Sequence, residues 1–541
     1  MRLLELFRRE SNVSVGNLVF LAAVAGIANA LILALLNSGA EQASKENTTT
    51  RSMMMFLVVT TIYAVSQWRL MTRAATEVEK ILDRLRVRLA DKVRQVDLKP
   101  LEDMGRTVIY ASINKETMII SQSSLMLIMS VQAAILIFFT AIYVLVLSTV
   151  AFVLTAILTL ILALVHVRRV KALNADLHET MRRENDLFDS LTHLLEGFKE
   201  VRMNRDRSND LFQHYQEISR SAAERKAKTQ AQIARMFIFS QLSFYVLLGA
   251  VVFIVPRLSD THSMNVVKIT TAVLFLVGPI SALVGTVPNL ATANAACENI
   301  ATLEGTLDRA ASRSNDRIPP MHAFREISFE HVVFHYDDPG LGSTFTVGPI
   351  DFTLTAGETV FVSGGNGSGK STFLKLLTAL YYPRQGIIRV DGKTLTPEMY
   401  DSYRGLFSTV FGDYHLFDRL YGLRNVPEDA IRRALALVEM DGKTGIVDSR
   451  FETLDLSGGQ RKRVALLVSL LEDRPIFVFD EMAADQDPQF RKKFYHEILP
   501  LLARAGKTIV AVTHDEKYFG DCDRLLRMDE GRMVTNDYER V

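Results

Sequence analysis

Residues Val360–Thr372 read VFVSGGNGSGKST, an apolar run that breaks into glycines and ends on a lysine and two hydroxyls. The helically spaced TFLKLLTALYY follows. Gly364, Gly369, Lys370 and Ser371 thus stand at the G-x-x-x-x-G-K-S spacing, between a strand and a helix, where that spacing has chemical meaning. Gly364, Gly365, Gly367 and Gly369, with Asn366 and Ser368 between them, let successive backbone N–H groups wrap phosphate oxygens. The helix N-terminus, with Thr372 in its first turn, adds partial positive charge. Lys370 is expected to reach the outer phosphates, and Ser371 to offer its hydroxyl to Mg2+. The chemistry is binding of a nucleoside triphosphate.

A second stretch supplies the complementary charge. PIFVF ends on two adjacent carboxylates, Asp480 and Glu481. Asp480 is expected to hold Mg2+, and Glu481 to orient or deprotonate an attacking water. Neighbours in a strand point to opposite faces, so both can serve only where the strand gives way to a turn.

Further motifs stand in order around these two. LSGGQ (Leu456–Gln460) lies between the phosphate loop and the acidic strand, and resembles the signature of ATP-binding-cassette ATPases. The resemblance covers the whole soluble half and implies ATP with Mg2+ as cofactors. It implies that Tyr336, in VVFHYDD, stacks on adenine, and that His514, in IVAVTHD, contacts the γ-phosphate beside the catalytic Glu481. Ser457, Gly458, Gly459 and Gln460 are implied to form an anion site for nucleotide held by an opposite subunit. Ala484–Asp487 stands where the family has its D-loop, although ADQD departs from Ser-Ala-Leu-Asp. The family's glutamine before an LF pair falls here on Gly412, with Asp413 next; glycine can ligate nothing, so that role is not carried over.

These motifs require an α/β P-loop domain, and the 541-residue chain is long enough for more than one domain. Apolar residues make up 48% and mean hydropathy is +0.13. Charge balances at 62 Lys and Arg against 61 Asp and Glu, so no global field argues for nucleic acid. Two cysteines, Cys297 and Cys522, suggest no disulfide framework.

Six apolar runs, nearly all without charge in their interiors, precede the cassette: Val15–Leu36, Met53–Trp68, Ser123–Val146, Thr149–Val165, Phe237–Val255 and Val267–Leu290. A bilayer crossing needs roughly 20 apolar residues in a helix, and the second and fourth runs are short or closely abutted. The first follows Arg8 and Arg9 as a secretory signal would, but it is too long for one and other spans follow. The expected fold is a multidomain membrane protein: a six-helix, all-α transmembrane domain at 1–310 and the cassette at 311–541.

Basic flanks set orientation. Arg8, Arg9, Arg69, Arg73, Arg168, Arg169 and Lys171 border one side; Lys45, Arg51, Arg257 and Lys268 border the other. Both termini and the cassette are therefore expected in the cytoplasm. Met71–Gln122 and Arg168–Arg235 read as long charged helical hairpins on that side, turning near Asp97–Gly105 and Leu194–Asp206, and as struts toward the cassette.

LLEGFKEVRMNRDR, VGPISALVGTVPNLATANAA and FDEMAADQDPQFRKKFYHEILP resemble the cyclic-peptide exporter branch of ATP-binding-cassette transporters, which serves siderophore, lipopeptide and microcin export. The resemblance implies a half-transporter of the bacterial inner membrane, dimerising most simply with itself and exporting a modified or nonribosomal peptide. Lipid or drug export, or a non-transporting nucleotide-gated regulator, are the alternative readings. No peptidase domain precedes the first span here, so leader cleavage is not expected of this chain. Gln132, Tyr143, Gln241, Ser243 and Tyr245 lie inside apolar spans, where they either line a cavity or hydrogen-bond between helices.

Overall fold

The computed structural model describes residues 2–10, 15–44, 50–105, 109–110, 112–258, 266–312, 318–336, 345–423 and 425–534. Lys45, used above for orientation, lies outside them. Two compact units divide the chain: Met1–Arg94 with Gly105–Arg309, and Gln95–Met104 with Ala310–Val541.

The first unit is helical. Among the described residues five helical stretches are long and apolar enough to cross a bilayer: Gly16–Gln42, Thr50–Arg94, Ser112–Leu147, Arg205–Arg257 and Val266–Arg309. The remaining expected span opens the helix Thr149–Glu196, whose apolar part Thr149–Ile161 is shorter. One residue, Ser148, separates it from the helix Thr117–Leu147. Its extended backbone ends one helix, and its hydroxyl accepts the Ala151 N–H to start the next. Two expected single spans are broken. The fifth interrupts at Ile254 and the sixth at Leu276, just before Pro256 and Pro279, which lack the N–H that would continue the ladder.

The helices do not stop at the span limits. Thr50–Arg94, Thr149–Glu196 and Arg205–Phe253 have 45, 48 and 49 residues, so each is roughly 70 Å long, more than twice the hydrocarbon thickness. Beyond the apolar parts, ion pairs tie them to one another and to the helix Val277–Arg309. Arg225 meets Asp176 at 2.8 Å, and Arg88 meets Glu304 at 3.0 Å. Gly197 ends one long helix, Phe198–Met203 forms a short helix, and Asn204 caps the next, so the second hairpin turns where the charged sequence predicts.

Within the apolar parts, side-chain amides close on each other. Gln67 Nε2 donates to Gln132 Oε1 at 3.0 Å; buried Asn37 donates to the Tyr143 hydroxyl at 3.2 Å and to the Lys268 carbonyl at 3.1 Å. For Gln132 and Tyr143 the interhelical role therefore holds. Ser243 is buried, and Gln241 and Tyr245 are exposed. Helices 15–44 and 117–147 approach so closely at Gly26 that an added Cβ would stand 2.5 Å from Ile135 Cγ2.

Among the described residues the cassette unit contains two main sheets and a small antiparallel pair, β7 (Ile446–Val447) with β8 (Arg450–Phe451). The smaller main sheet is formed by β1 (Glu326–His335), β2 (Thr346–Thr355), β4 (Gln385–Val390) and β5 (Lys393–Thr394) in the order β2-β1-β4-β5. The larger is formed by β3 (Thr359–Gly364), β6 (Phe407–Val410), β9 (Ile476–Asp480), β10 (Thr508–Val512), β11 (Arg524–Asp529) and β12 (Arg532–Val534), in the order β12-β11-β3-β10-β9-β6. All its pairings are parallel except β11 with β12. Every residue of β9 and β10 is buried, as expected of parallel strands covered on both faces.

The turn at Asp97–Gly105 holds a short helix, Leu98–Met104, that belongs to this unit. Lys375 Nζ meets Glu102 Oε1 at 3.0 Å, the Tyr381 and Tyr382 hydroxyls donate to Glu102 and Asp97, and Val96 bridges to Ala311. The turn of the first hairpin is thus part of the cassette unit.

Candidate functional site

Parallel pairing puts the carboxyl ends of β3, β10 and β9 side by side on one edge, the place where open α/β sheets receive ligands. Three motifs far apart in sequence meet there. The phosphate loop leaves β3, Thr513 and His514 follow β10, and Asp480 and Glu481 end β9.

Glycine is required in the loop. Gly364, Gly367 and Gly369 have φ of 153°, 76° and 99°, and a Cβ on Gly364 would lie 2.2 Å from the Met528 carbonyl oxygen. Ser368 is buried and its hydroxyl has no partner. Lys370, 6% exposed, donates to the carbonyls of Gly364 at 3.0 Å and Gly365 at 2.8 Å. Ser371 Oγ donates to Asp480 Oδ2 at 3.0 Å. Burial pushes the Asp480 carboxyl up from its ordinary value, and the Glu481 charge adds to this; Ser371, the Gly412 N–H and Lys370 oppose it.

The donor set fits ATP with Mg2+. An ammonium, an unpartnered buried hydroxyl and a glycine cradle suit phosphate oxygens, and a buried carboxylate 3.0 Å from a serine hydroxyl suits a hard cation. Among the described residues no group of three His, Cys, Asp or Glu side chains could hold a metal alone. Such an ion would share its coordination with the nucleotide, as Mg2+ commonly does.

Glu481 resolves the alternation problem. Its N–H still bonds the Val512 carbonyl at 3.1 Å, but its φ is 50°, in the left-handed region, so the chain leaves the strand there. Its carboxylate then lies 3.1 Å from His514 Nε2, while Asp480 meets Ser371. The expected pair Glu481 and His514 is in contact.

Tyr336 lies beside the same loop. Its hydroxyl is 2.9 Å from Thr372 Oγ1, its ring is edge-on to Phe334, and the Lys99 ammonium stands 5.5 Å from the ring centre.

The LSGGQ turn starts the helix Gly458–Glu472. Ser457 and Gln460 form a reciprocal capping box: Gln460 N–H to Ser457 Oγ at 3.4 Å, and Ser457 N–H to Gln460 Oε1 at 3.0 Å. Gln460 therefore shapes the turn, while Gly458 is open to anything approaching the helix N-terminus. A Cβ on Gly459 would come within 3.1 Å of the Asp485 carbonyl oxygen, so the altered D-loop packs directly on this turn. Buried Gln486 makes that contact work. It donates to the Gly459 carbonyl at 3.0 Å and accepts from Arg463 Nε at 2.9 Å. A polar residue replaces leucine because both its amide ends find partners.

Gly412 occupies the place the family gives to glutamine, and a Cβ there would be 3.7 Å from Asp480 Oδ2. The position does face the acidic strand; its backbone N–H, not a side chain, bonds Asp480. Asp413 is exposed. Sequence reasoning did not single out Arg463, Gln486 or Lys462, which is buried beside Glu481.

Comparison with known proteins agrees with this geometry. The ABC transporter family model matches residues 347–484, and that of the ABC transporter transmembrane region matches 15–282. The chain is 32% identical over 480 residues to ATP-binding protein SyrD of Pseudomonas syringae pv. syringae, covering 84% of this chain and 83% of that protein. It is 34% identical over 201 residues to the probable syringafactin export ATP-binding/permease protein SyfD of the same pathovar, covering 35% of this chain and 30% of that protein. An ATP-dependent lipid A-core flippase of Alkalilimnicola ehrlichii is 27% identical over 357 residues, 62% of this chain and 56% of that one. A bacterial Atm1-family ABC exporter with ATP bound has the same fold, with a TM-score of 0.75 at 18% identity over 98% of this chain and 95% of that one. With its membrane and ATP-binding domains in one polypeptide, the chain belongs to the ABC transporter family as a half-transporter ATPase.

Proposed function

We propose that two copies of this chain export a modified or nonribosomal peptide from the cytoplasm across the bacterial inner membrane, driven by ATP hydrolysis. The proposal places the cassette and both termini in the cytoplasm and divides the chain near residue 310. In each copy the loop from Gly364 to Gly369, with Lys370 and Thr372, binds the phosphates, and Tyr336 stacks on adenine. Ser371 and Asp480 would hold Mg2+, which would neutralise charge on the phosphates. Glu481 orients the attacking water and accepts its proton, while His514 keeps the Glu481 carboxylate turned toward the γ-phosphate. Ser457, Gly458 and Gly459 face nucleotide bound by the other copy, with Gln460 holding their turn.

The resemblance of LLEGFKEVRMNRDR, VGPISALVGTVPNLATANAA and FDEMAADQDPQFRKKFYHEILP to cyclic-peptide exporters is the single observation that carries the peptide reading, and similarity to SyfD, named for syringafactin export, supports export. The match to a lipid A-core flippase supports lipid as the second reading. ATPase stimulation in proteoliposomes separates them. The proposal expects a cyclic lipopeptide to raise the rate and lipid A to leave it unchanged; the reverse order rejects peptide export.

A further inference from the structure

Lys462 lies on the helix Gly458–Glu472, two residues beyond the capping glutamine, and its side chain is 6% exposed. Its ammonium donates to the Glu481 carbonyl at 2.6 Å and to Asp485 Oδ2 at 3.3 Å. A buried ammonium must be engaged to be tolerated, and both partners of this one lie outside its own helix. The residue therefore does not serve its own helix. What it serves is the turn at the end of β9.

Glu481 needs such support. A glutamate at a φ of 50° persists only where its surroundings hold it. Four contacts pin it: its N–H on Val512, its carboxylate on His514, and its carbonyl on both the Ala484 N–H at 3.1 Å and Lys462. Of these, only Lys462 comes from the helix whose N-terminus carries Ser457 and Gly458.

We infer that Lys462 is a positioning residue that sets the backbone of Glu481 and ties it to the signature helix. The inference rests on the proposed reading, in which Glu481 acts on nucleotide bound by its own copy while Ser457 and Gly458 meet nucleotide bound by the other. A shift of the signature helix as one nucleotide engages or splits is then transmitted through Lys462 to the carboxylate at the second nucleotide. The direct link to Glu481 is one hydrogen bond within one chain, beside the contacts of Gln486 with Gly459 and Arg463, and it makes the two hydrolytic sites interdependent.

The test compares full-length Lys462→Met, Lys462→Arg and Glu481→Gln in proteoliposomes, measuring kcat, KM, the Hill slope for ATP and nucleotide affinity. Lys462→Met is expected to lower kcat by ~10–100-fold, the scale of a misplaced catalytic group. Nucleotide affinity should stay within about twofold, the Hill slope should fall toward one, and Lys462→Arg should recover much of both. Should the Met variant fail to fold, Lys462→Gln replaces it with the same expectation. An unchanged kcat and Hill slope in the folded variant, with Glu481→Gln inactive, overturns this inference and leaves the assignment of Glu481 standing. Loss of nucleotide binding in proportion to rate, unrescued by arginine, also overturns it, by making Lys462 a mere packing element. Wild-type turnover in Glu481→Gln instead rejects the site reading on which the inference stands.

Discussion

Gln132 in the helical unit and Lys370 in the cassette unit are both polar side chains set among apolar neighbours, and they end differently. Gln132 is closed by Gln67, as Asn37 is by Tyr143 and the Lys268 carbonyl. The unpartnered hydroxyls in that unit, such as Thr60, Thr140 and Thr270, are scattered one to a helix. Lys370 rests on two loop carbonyls beside the unpartnered Ser368 hydroxyl, close to a carboxylate whose pKa burial has raised. Polarity in the helices is thus used up between helices, whereas polarity at the sheet edge converges and stays open. Open, convergent polarity is what marks a reacting site. Among the described residues the helical unit shows no equivalent.

The sharpest way to break this contrast is Glu481→Gln. Phosphate release should fall by ~10²–10⁴-fold while ATP binding persists, the range removed with a positioned general base. Comparable turnover would mean the open cluster is not the reacting one. Lys370→Ala comes next. Loss of a charged hydrogen-bonding group should weaken ATP by about 1.5–3 kcal/mol, roughly 10–150-fold in affinity, as read by nucleotide titration. In the helices the expected effects are smaller. Gln132→Leu alone should cost roughly 0.6–1.7 kcal/mol of stability, and adding Gln67→Leu should recover part of it, with basal ATPase activity unchanged. A large loss of activity in the double variant would show that this pair is not merely structural.

The smallest effect belongs to Asp487, which caps the helix Pro488–Lys493 by accepting from Gln489 and Phe490 N–H. The Phe490 N–H contributes most to holding its carboxyl below the ordinary 3.8. Its stabilisation is therefore complete above pH 3.8 and lost as pH falls through the lower folded value. Asp487→Ala should cost about 1 kcal/mol at neutral pH. Thermal melts across pH should show that gap closing below 3.8; a gap that persisted there would argue against the cap.

Much of this was legible in sequence, for reasons of range. The phosphate loop and the Asp480–Glu481 pair are local patterns whose chemistry follows from spacing, and the spans are runs of composition. Even the breaks at Ile254 and Leu276 could have been read from Pro256 and Pro279. What escaped depends on residues far apart in the chain. Nothing near Glu102 announces Tyr381 and Lys375 as its partners, and nothing in ADQD announces that Gln486 will be satisfied by Gly459 and Arg463. Lys462 reads as one basic residue in a basic stretch until the fold sets it against the Glu481 carbonyl. The left-handed turn at Glu481 was required by the chemistry, but only the register of β9 with β10 shows how it arises.

Transport itself is the direct test of whether splitting ATP at the sheet edge moves cargo through the helices. Inside-out proteoliposomes of the wild-type chain, given a labelled cyclic lipopeptide and Mg-ATP, should accumulate it, whereas Glu481→Gln vesicles that bind the same nucleotide should not. Equal accumulation in the two preparations, or none in either while the wild type hydrolyses ATP, would contradict the account.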